Sequence, residues 1–324
     1  MRDNTTTGQG RMRWDGNGEM TRLYIAGDWG TSNLRLYLNG PGGVQARVDG
    51  PGIATAGGKA GELLDELTRP WVAQHGSLPV LLAGMVGSSI GWVQTPYLDC
   101  PAGAEALGSA LLEVRPGVRI VPGLACVNPT GAPDVMRGEE TQLIGLLALH
   151  PELRRGRHLI CLPGTHAKWA LVHDGVVETF QTALSGELFA LLNGGSVLVP
   201  PPHRKAPTDA ATFRQGAERG VASGGAILHR LFETRARQMR GQLDPALAGS
   251  FLSGLIIGAD VAQAISLFPA TAGERAATVV LVGEPALTGL YAEALSLLAV
   301  PSRRLDGGDC VLAGLAAVME RTQW

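Results

Sequence analysis

The sequence predicts an α/β protein built as two domains. The chain has 324 residues, more than one ordinary domain needs. Short apolar runs, such as residues 78–83 and 278–282, alternate with longer stretches whose apolar residues recur at helical spacing. One local pattern also occurs twice, about a domain length apart: a strand, a tight turn of Gly, Thr and other small or polar residues, and a returning strand. It is seen at residues 23–38 and again at 158–172.

Composition narrows the classes. The hydrophobic fraction is 45%, enough for real cores, so the chain does not read as disordered. Net charge is −2 with no basic run, which argues against nucleic acid as a partner. No uninterrupted apolar stretch reaches membrane-spanning length, because Asp260 and Glu284 break the best candidates. Residues 1–20 are polar and Gly-rich without an apolar core segment; they read as a flexible leader and not as a signal peptide. Cys100, Cys126, Cys161 and Cys310 are far apart and form no Cys-x-x-Cys pair, as expected of buried free thiols in a reducing cytoplasm. The 45 glycines and 20 prolines follow no period and mark tight turns.

In chain order, the first hairpin is followed by a third strand near residues 44–48. Leu63, Leu64, Leu67, Trp71 and Val72 give residues 61–75 a helical stripe. A buried strand at 78–83 ends in the small-residue loop 84–92, the kind of position where α/β sheets bind ligands. A strand at 118–121 and a Gly/Pro/Asn-rich loop lead to a helix expected from Asp134 to Leu149, with Asp134 as its N-cap. The break at 151–157 is the expected domain boundary, giving domains at 21–150 and 151–324, with the last helix as a candidate to pack back on the first. The second domain opens with strands at 158–162, 168–172 and 176–180 and a helix at 184–193. The Pro-rich loop 197–205 reads as a candidate flap. Helical patterns follow at 209–243 and 247–267. A strand at 278–282, a helix to Leu298, a turn at 306–309 and a helix over 310–321 complete the chain.

The turns carry the chemistry. Gly27-Asp28-Trp29-Gly30-Thr31-Ser32-Asn33 has no lysine, and no G-x-x-x-x-G-K-[ST] motif occurs anywhere. A Gly-rich hairpin nevertheless cradles phosphate through backbone N–H groups and hydroxyls. An Asp at its tip suffices for a hydrated Mg²⁺, which keeps most of its waters. Two such hairpins from two domains would clamp a polyphosphate from both sides, which points to a nucleotide cleft. Each hairpin alone is equally an ordinary Gly turn.

With these blocks in hand, the sequence resembles the superfamily of actin, sugar kinases and heat-shock ATPases. Residues 27–33 resemble its first phosphate hairpin, 162–169 its second, and 281–287 its adenosine loop. More narrowly, residues 84–102 (GMVGSSIGWVQTPYLDCPA), 134–145 (DVMRGEETQLIG), 162–169, 185–192 (SGELFALL) and 305–315 resemble the 2-dehydro-3-deoxygalactonokinase family. Gln94 stands where that pattern leads one to expect an acid. The resemblance implies two ribonuclease-H-like (actin/hexokinase-type) domains flanking a nucleotide cleft. It implies ATP and Mg²⁺ as cofactors, and phosphorylation of the terminal hydroxyl of 2-dehydro-3-deoxy-D-galactonate. Oligomeric state stays open, a homodimer included.

Under that reading Asp28 serves the metal. Gly30, Thr31, Ser32 and Asn33 face one side of the phosphates, and Gly164, Thr165 and His166 the other. Lys168 reaches a phosphate or is an ordinary strand residue; Gly254 and Gly283 join the nucleotide set. Gly87, Ser88, Ser89, Trp92 and Tyr97 line the sugar site, with Trp92 and Tyr97 alternatively core anchors. Arg137 suits the substrate carboxylate, which guanidinium binds bidentately. Asp134 is the favoured base and Glu139 its rival, with N-capping and solvated helix charge as their structural alternatives. A phosphohydrolase of the same fold and a non-catalytic sugar-binding regulator remain as other classes; retention of Asp28, Asp134 and Glu139 argues against the regulator.

Overall fold

The computed structural model describes residues 23–269 and 278–322, so the expected leader lies outside the described residues. The chain forms two compact units. The first takes residues up to Ala125, Val135–Glu152 and the chain from Asp309 on; the second takes Cys126–Asp134 and Leu153–Gly308. Two stretches thus depart from a single division of the chain: Cys126–Asp134 and the residues after Gly308.

In the first unit β1 (Tyr24–Trp29) is buried almost throughout, as an apolar run in a central strand must be. It pairs antiparallel with β2 (Asn33–Gly40), which pairs with β3 (Gly43–Pro51). β2 alternates exposed and buried residues along Asn33–Leu36, the period of a strand with one face on the core. A short helix α1 (Ile53–Ala56) and the long α2 (Ala60–His75) follow, then β4 (Val80–Ala83), parallel to β1. Small elements come next: β5 (Tyr97–Asp99), α3 (Ala104–Ser109), β6 (Leu112–Arg115) and β7 (Val118–Ile120). The sheet order is β3-β2-β1-β4-β7-β6. β8 (Gly123–Val127) and β9 (Pro133–Met136) join β5 in a separate three-stranded sheet, and α4 (Glu139–Leu149) follows.

The helix expected from Asp134 therefore starts five residues later. Residues 133–136 are extended, and Gly138, at φ 102°, turns the chain into α4. Pro133 and Asp134 suggested a helix start, but the positive φ at Gly138 sets the true one.

The second unit repeats the plan. β10 (Arg157–Leu162) pairs antiparallel with β11 (Ala167–His173), and β11 with β12 (Val176–Ala183). Next come α5 (Ser185–Gly195), α6 (Ala210–Val221), the short α7 (Ile227–Leu231) and α8 (Glu233–Met239), and α9 (Ala248–Leu267). The expected helix over 209–243 is thus three pieces, interrupted at Gly224 and Gly225, both at positive φ. β13 (Val279–Val282), parallel to β10, α10 (Pro285–Ser296) and β14 (Ser302–Leu305) complete a sheet ordered β12-β11-β10-β13-β14. Three antiparallel strands followed by parallel ones occur in both sheets, so the repeated hairpin of the sequence is one edge of a repeated sheet.

Residues 245–267, which include α9, are long and apolar enough to cross a membrane by length and composition alone. Phe251, Leu252, Leu255, Ile256 and Val261 are buried within the unit, which makes it the central core helix.

The last helix, α11 (Cys310–Met319), belongs to the first unit and crosses α4 at two glycines. A Cβ at Gly145 would overlap the Cys310 carbonyl oxygen, and one at Gly314 the Thr141 carbonyl oxygen. Backbone cannot move aside as a side-chain tip can. Gly145→Ala is therefore expected to destabilise the protein by about 1–3 kcal/mol or more, the cost of overpacking. Urea unfolding measures this; an unchanged midpoint would mean that the two helices are not tightly seated.

Candidate active site

In the first unit the site grows from the end of β1. The turn after it directs its carbonyls inward: Gly30, Thr31 and Ser32 accept from the N–H groups of Ile53 (3.0 Å), Ala54 (3.1 Å) and Gly52 (3.1 Å). A Cβ at Gly52 would overlap the Thr31 carbonyl, so glycine there permits this seating. The side chains of Thr31, Ser32 and Asn33 are exposed. Asp28 lies partly buried beside Arg35, with Nη1 3.4 Å from Oδ2. Burial pushes its carboxyl up, and the Arg35 guanidinium pulls the other way.

Two glycines bring a second acidic group to this point. Gly84, at φ 94°, ends β4, and a Cβ on it would stand 2.9 Å from the Trp29 carbonyl oxygen and 3.6 Å from Asp28 Oδ1. Gly138 abuts Gly84, its Cβ position 3.4 Å from the Gly84 Cα. Gly138 opens α4, so Glu139 stands on the turn that touches Gly84, which in turn abuts the end of β1. Glu139 is half-buried; Oε2 accepts from the Arg137 N–H at 3.1 Å, and Oε1 accepts no hydrogen bond among the described residues.

The loop after β4 meets the same turn. Arg137 donates to the Thr95 hydroxyl and, from Nη2, to the Thr95 carbonyl at 3.0 Å; its guanidinium lies 4.3 Å from the Tyr97 ring centroid. It has no acidic partner among the described residues, and its buried Nε has no partner. Gly87 admits this packing, since a Cβ there would sit 3.0 Å from Arg137 Nη1. Ser88 turns its hydroxyl back to the Met85 carbonyl, and Ser89 is exposed. Trp92 is half-buried and packs on Gly61 of α2 beneath the Arg115 guanidinium, at the edge of the first unit's core.

Asp134 is in the second unit, the last residue of the segment Cys126–Asp134. Its Oδ2 accepts from the Thr182 N–H (2.7 Å) and the Asn128 amide (3.4 Å), and its Oδ1 from the Thr182 hydroxyl (2.6 Å). It is not an N-cap, and both oxygens are engaged in fastening its segment to β12. Lys168 joins the same cluster. It is buried and its ammonium donates to the Thr182 hydroxyl at 3.0 Å, so the expected reach to phosphate is replaced by a bond within the sheet.

The second hairpin of the sequence opens on a cavity of about 380 Å³ within the second unit. Gly164 and Thr165 form one end; Phe189, Ile257, Leu287 and Leu290 supply apolar walls, and Asn193 and Ser253 polar ones. Nothing lies within 4 Å of where a Gly164 Cβ would be, so the turn presents bare backbone. The N-terminus of α5 supports it from behind: Glu187 N–H donates to the Thr165 carbonyl at 2.9 Å, and a Cβ at Gly186 would overlap the Gly164 carbonyl oxygen. His166 pairs with Glu187 on the surface. Gly283, at φ 145°, lies beside the Pro163 carbonyl and leads into α10. Gly254 corrects the nucleotide set: it is buried in α9, where a Cβ would overlap the Phe213 carbonyl of α6, so it serves helix packing.

Sequence reasoning missed Gly84, Thr95 and Glu140 in the first unit and Ser185, Asn193 and Asp260 in the second. Glu140 had a signal: with Leu143, Ile144 and Leu147 it falls at i, i+3, i+4 and i+7, an acid on the buried stripe. It is fully buried and accepts from the Gly138 N–H (2.6 Å) and the Thr141 hydroxyl (2.9 Å). Burial, with Glu139 adjacent, pushes its carboxyl up to about 7. The native state thus binds a proton that the unfolded chain, titrating near 4.5, has released. The contribution of Glu140 is present below about pH 4.5 and is lost as pH rises to about 7. Glu140→Gln is expected to flatten the fall of stability across that window, read from denaturation midpoints at stepped pH; an unchanged slope would assign the dependence to another group.

The geometry meets known proteins here. Residues 28–318 match the family model described as 2-keto-3-deoxy-galactonokinase. The chain is 38% identical over 304 residues to the 2-dehydro-3-deoxygalactonokinase of Escherichia coli strain K12, covering 92% of this chain and 98% of that one. The crystal structure of a candidate 2-dehydro-3-deoxygalactonokinase from Sinorhizobium meliloti superposes with a TM-score of 0.80 at 35% identity, covering 91% of this chain and 97% of that one. Matched from the end of its first central strand to its last helix, the chain belongs to the 2-keto-3-deoxy-galactonokinase family.

Proposed function

We propose that the protein transfers the terminal phosphoryl group of ATP to the terminal hydroxyl of 2-dehydro-3-deoxy-D-galactonate, giving the 6-phosphate, and does so in the cytoplasm. The observation that carries the assignment of roles is the contact of Gly138 with Gly84, which joins Asp28 and Glu139 in one unit. Asp28 is the group that would hold Mg²⁺. The fit is sound, because a hydrated Mg²⁺ needs only one or two carboxylates, and a cation relieves a carboxyl that burial pushes up. When bound, the ion neutralises charge developing on the transferred phosphoryl group.

Glu139, rather than Asp134, is the base in this reading. Its free oxygen is available to a hydroxyl, whereas both Asp134 oxygens hold Thr182. In the first unit the exposed turn at Thr31–Asn33 is the group that would bind phosphate; in the second, the bare backbone at Gly164 and Thr165 would do so, and the cavity beyond Gly164 would take the adenosine. Arg137, without an acidic partner among the described residues, would bind the sugar-acid carboxylate, with Tyr97 orienting its plane.

A coupled assay of ADP release tests the activity itself: turnover is expected to require the sugar acid, and ATP hydrolysis that ignores it would favour the hydrolase. Glu139→Gln is expected to lower kcat by about two to four orders of magnitude, and Asp134→Asn by less than about tenfold. The reverse ranking would return the base to Asp134. Asp28→Asn should lower kcat on the order of a hundredfold or more while the sugar-acid KM changes little. Arg137→Lys keeps the charge and loses the fork, so the KM for sugar acid should rise about tenfold with the KM for ATP unchanged. Equal changes in both constants would remove Arg137 from carboxylate binding.

A further inference from the structure

Asp260 is the one acid within the apolar run of α9, and it is half-buried in the second unit. Its carboxylate accepts three hydrogen bonds: from Trp169 Nε1 at 2.9 Å, the Ser185 hydroxyl at 2.7 Å and the Tyr291 hydroxyl at 2.8 Å. No cation pairs with it among the described residues. Even a half-buried carboxylate loses hydration with no counter-charge to offset it, and packing alone would be served better by an apolar residue.

Its three donors come from three elements, two of which, α5 and α10, line the cavity behind Gly164. Ser185 is the first residue of α5, whose next two residues support the phosphate turn through Gly186 and the Glu187 N–H. Tyr291 lies on α10, one turn from Leu287 and beside Leu290, and itself lines the cavity with Ser185. Trp169 is on β11, the strand that leaves the turn, and its ring packs 6.2 Å from that of Tyr291. Asp260 therefore ties α9 to the back of the turn, to the cavity wall and to the returning strand at once.

We propose that Asp260 is a positioning residue of the nucleotide site, fixing the start of α5 behind Gly164–Thr165 and so setting the affinity for ATP without touching it. The proposal rests on the reading of this cavity as the nucleotide pocket. Trp169 Nε1 can only donate, so a carboxylate is the acceptor that holds all three partners in one orientation. In Asp260→Asn the amide oxygen must stay with Trp169, which leaves the amide nitrogen in place of Oδ2, facing both the Ser185 and the Tyr291 hydroxyls as a donor. Those hydroxyls reverse or withdraw, and Ser185 loses its fixed place.

The test uses the full chain. Binding of a non-hydrolysable ATP analogue is measured by calorimetry, and steady-state constants are measured for ATP and sugar acid. Asp260→Asn is expected to raise the analogue Kd and the KM for ATP by about tenfold or more, with the KM for sugar acid unchanged. Ser185→Ala should move the same constants in the same direction, and the double variant should be no worse than Asp260→Asn, since both act through one bond. Leu252→Ala, a cavity in the same helix but in a core cluster separate from that of Trp169 and Tyr291, should lower the melting temperature without raising the Kd. If the single variants lose stability but bind the analogue like the wild type, Asp260 is a structural residue and the proposal falls. Should Asp260→Asn not fold, Ser185→Ala decides alone by the same criterion. Failure of the wild type to bind the analogue at all would overturn the nucleotide reading of the cavity, a result distinct from normal wild-type binding with unaffected variants.

Discussion

The first unit depends on the approach of two backbones, Gly138 against Gly84. Neither residue can carry a side chain cheaply: both sit at positive φ, and Gly84 is pressed against the Trp29 carbonyl. Their contact brings the start of α4 to the ends of β1 and β4. Glu140 fastens the Gly138 N–H from within the core, which leaves Glu139 facing outward on the same turn. The polar chemistry of the unit thus rests on a junction that has no polar side chains of its own.

The second unit solves a related problem with different means. Its turn at Gly164 is supported by a helix N-terminus rather than by a second glycine turn, and Gly186 lets the helix come close. α9 runs through the core, and Gly254 and Gly258 let it lie against α6. The two sheets share the order of their first five strands, with β6 added at the edge of the first, yet the elements that finish each turn differ. The repeated topology is a scaffold on which unlike supports were built.

The repeated hairpin was legible because it is local: each strand is a short apolar run and each turn carries its own glycines. Helices with one apolar stripe, such as α2, were legible for the same reason. Asp134 misled because Pro133-Asp134 satisfies the local signature of a helix start, while the feature that sets it, the backbone angle at Gly138, leaves only a glycine in the sequence. Lys168 and Thr182 are partners by strand register, and a strand's register is not written in its own residues. Gly254 was readable as glycine, but whether a glycine admits a ligand or a helix depends on what lies opposite. Asp260 left a visible trace, an acid in an apolar helix, and its significance came only with its three donors.

The position of α11 has a consequence for biosynthesis. The face of α4 that carries Thr141 and Gly145 makes its glycine crossing with a helix that leaves the ribosome only after the second unit has been made. The nascent first unit must therefore wait with that face of α4 uncovered while the second unit is synthesised and free to fold. Such a chain is exposed to premature association in proportion to that delay. Slower elongation through the second unit would lengthen the exposure without altering a single native contact.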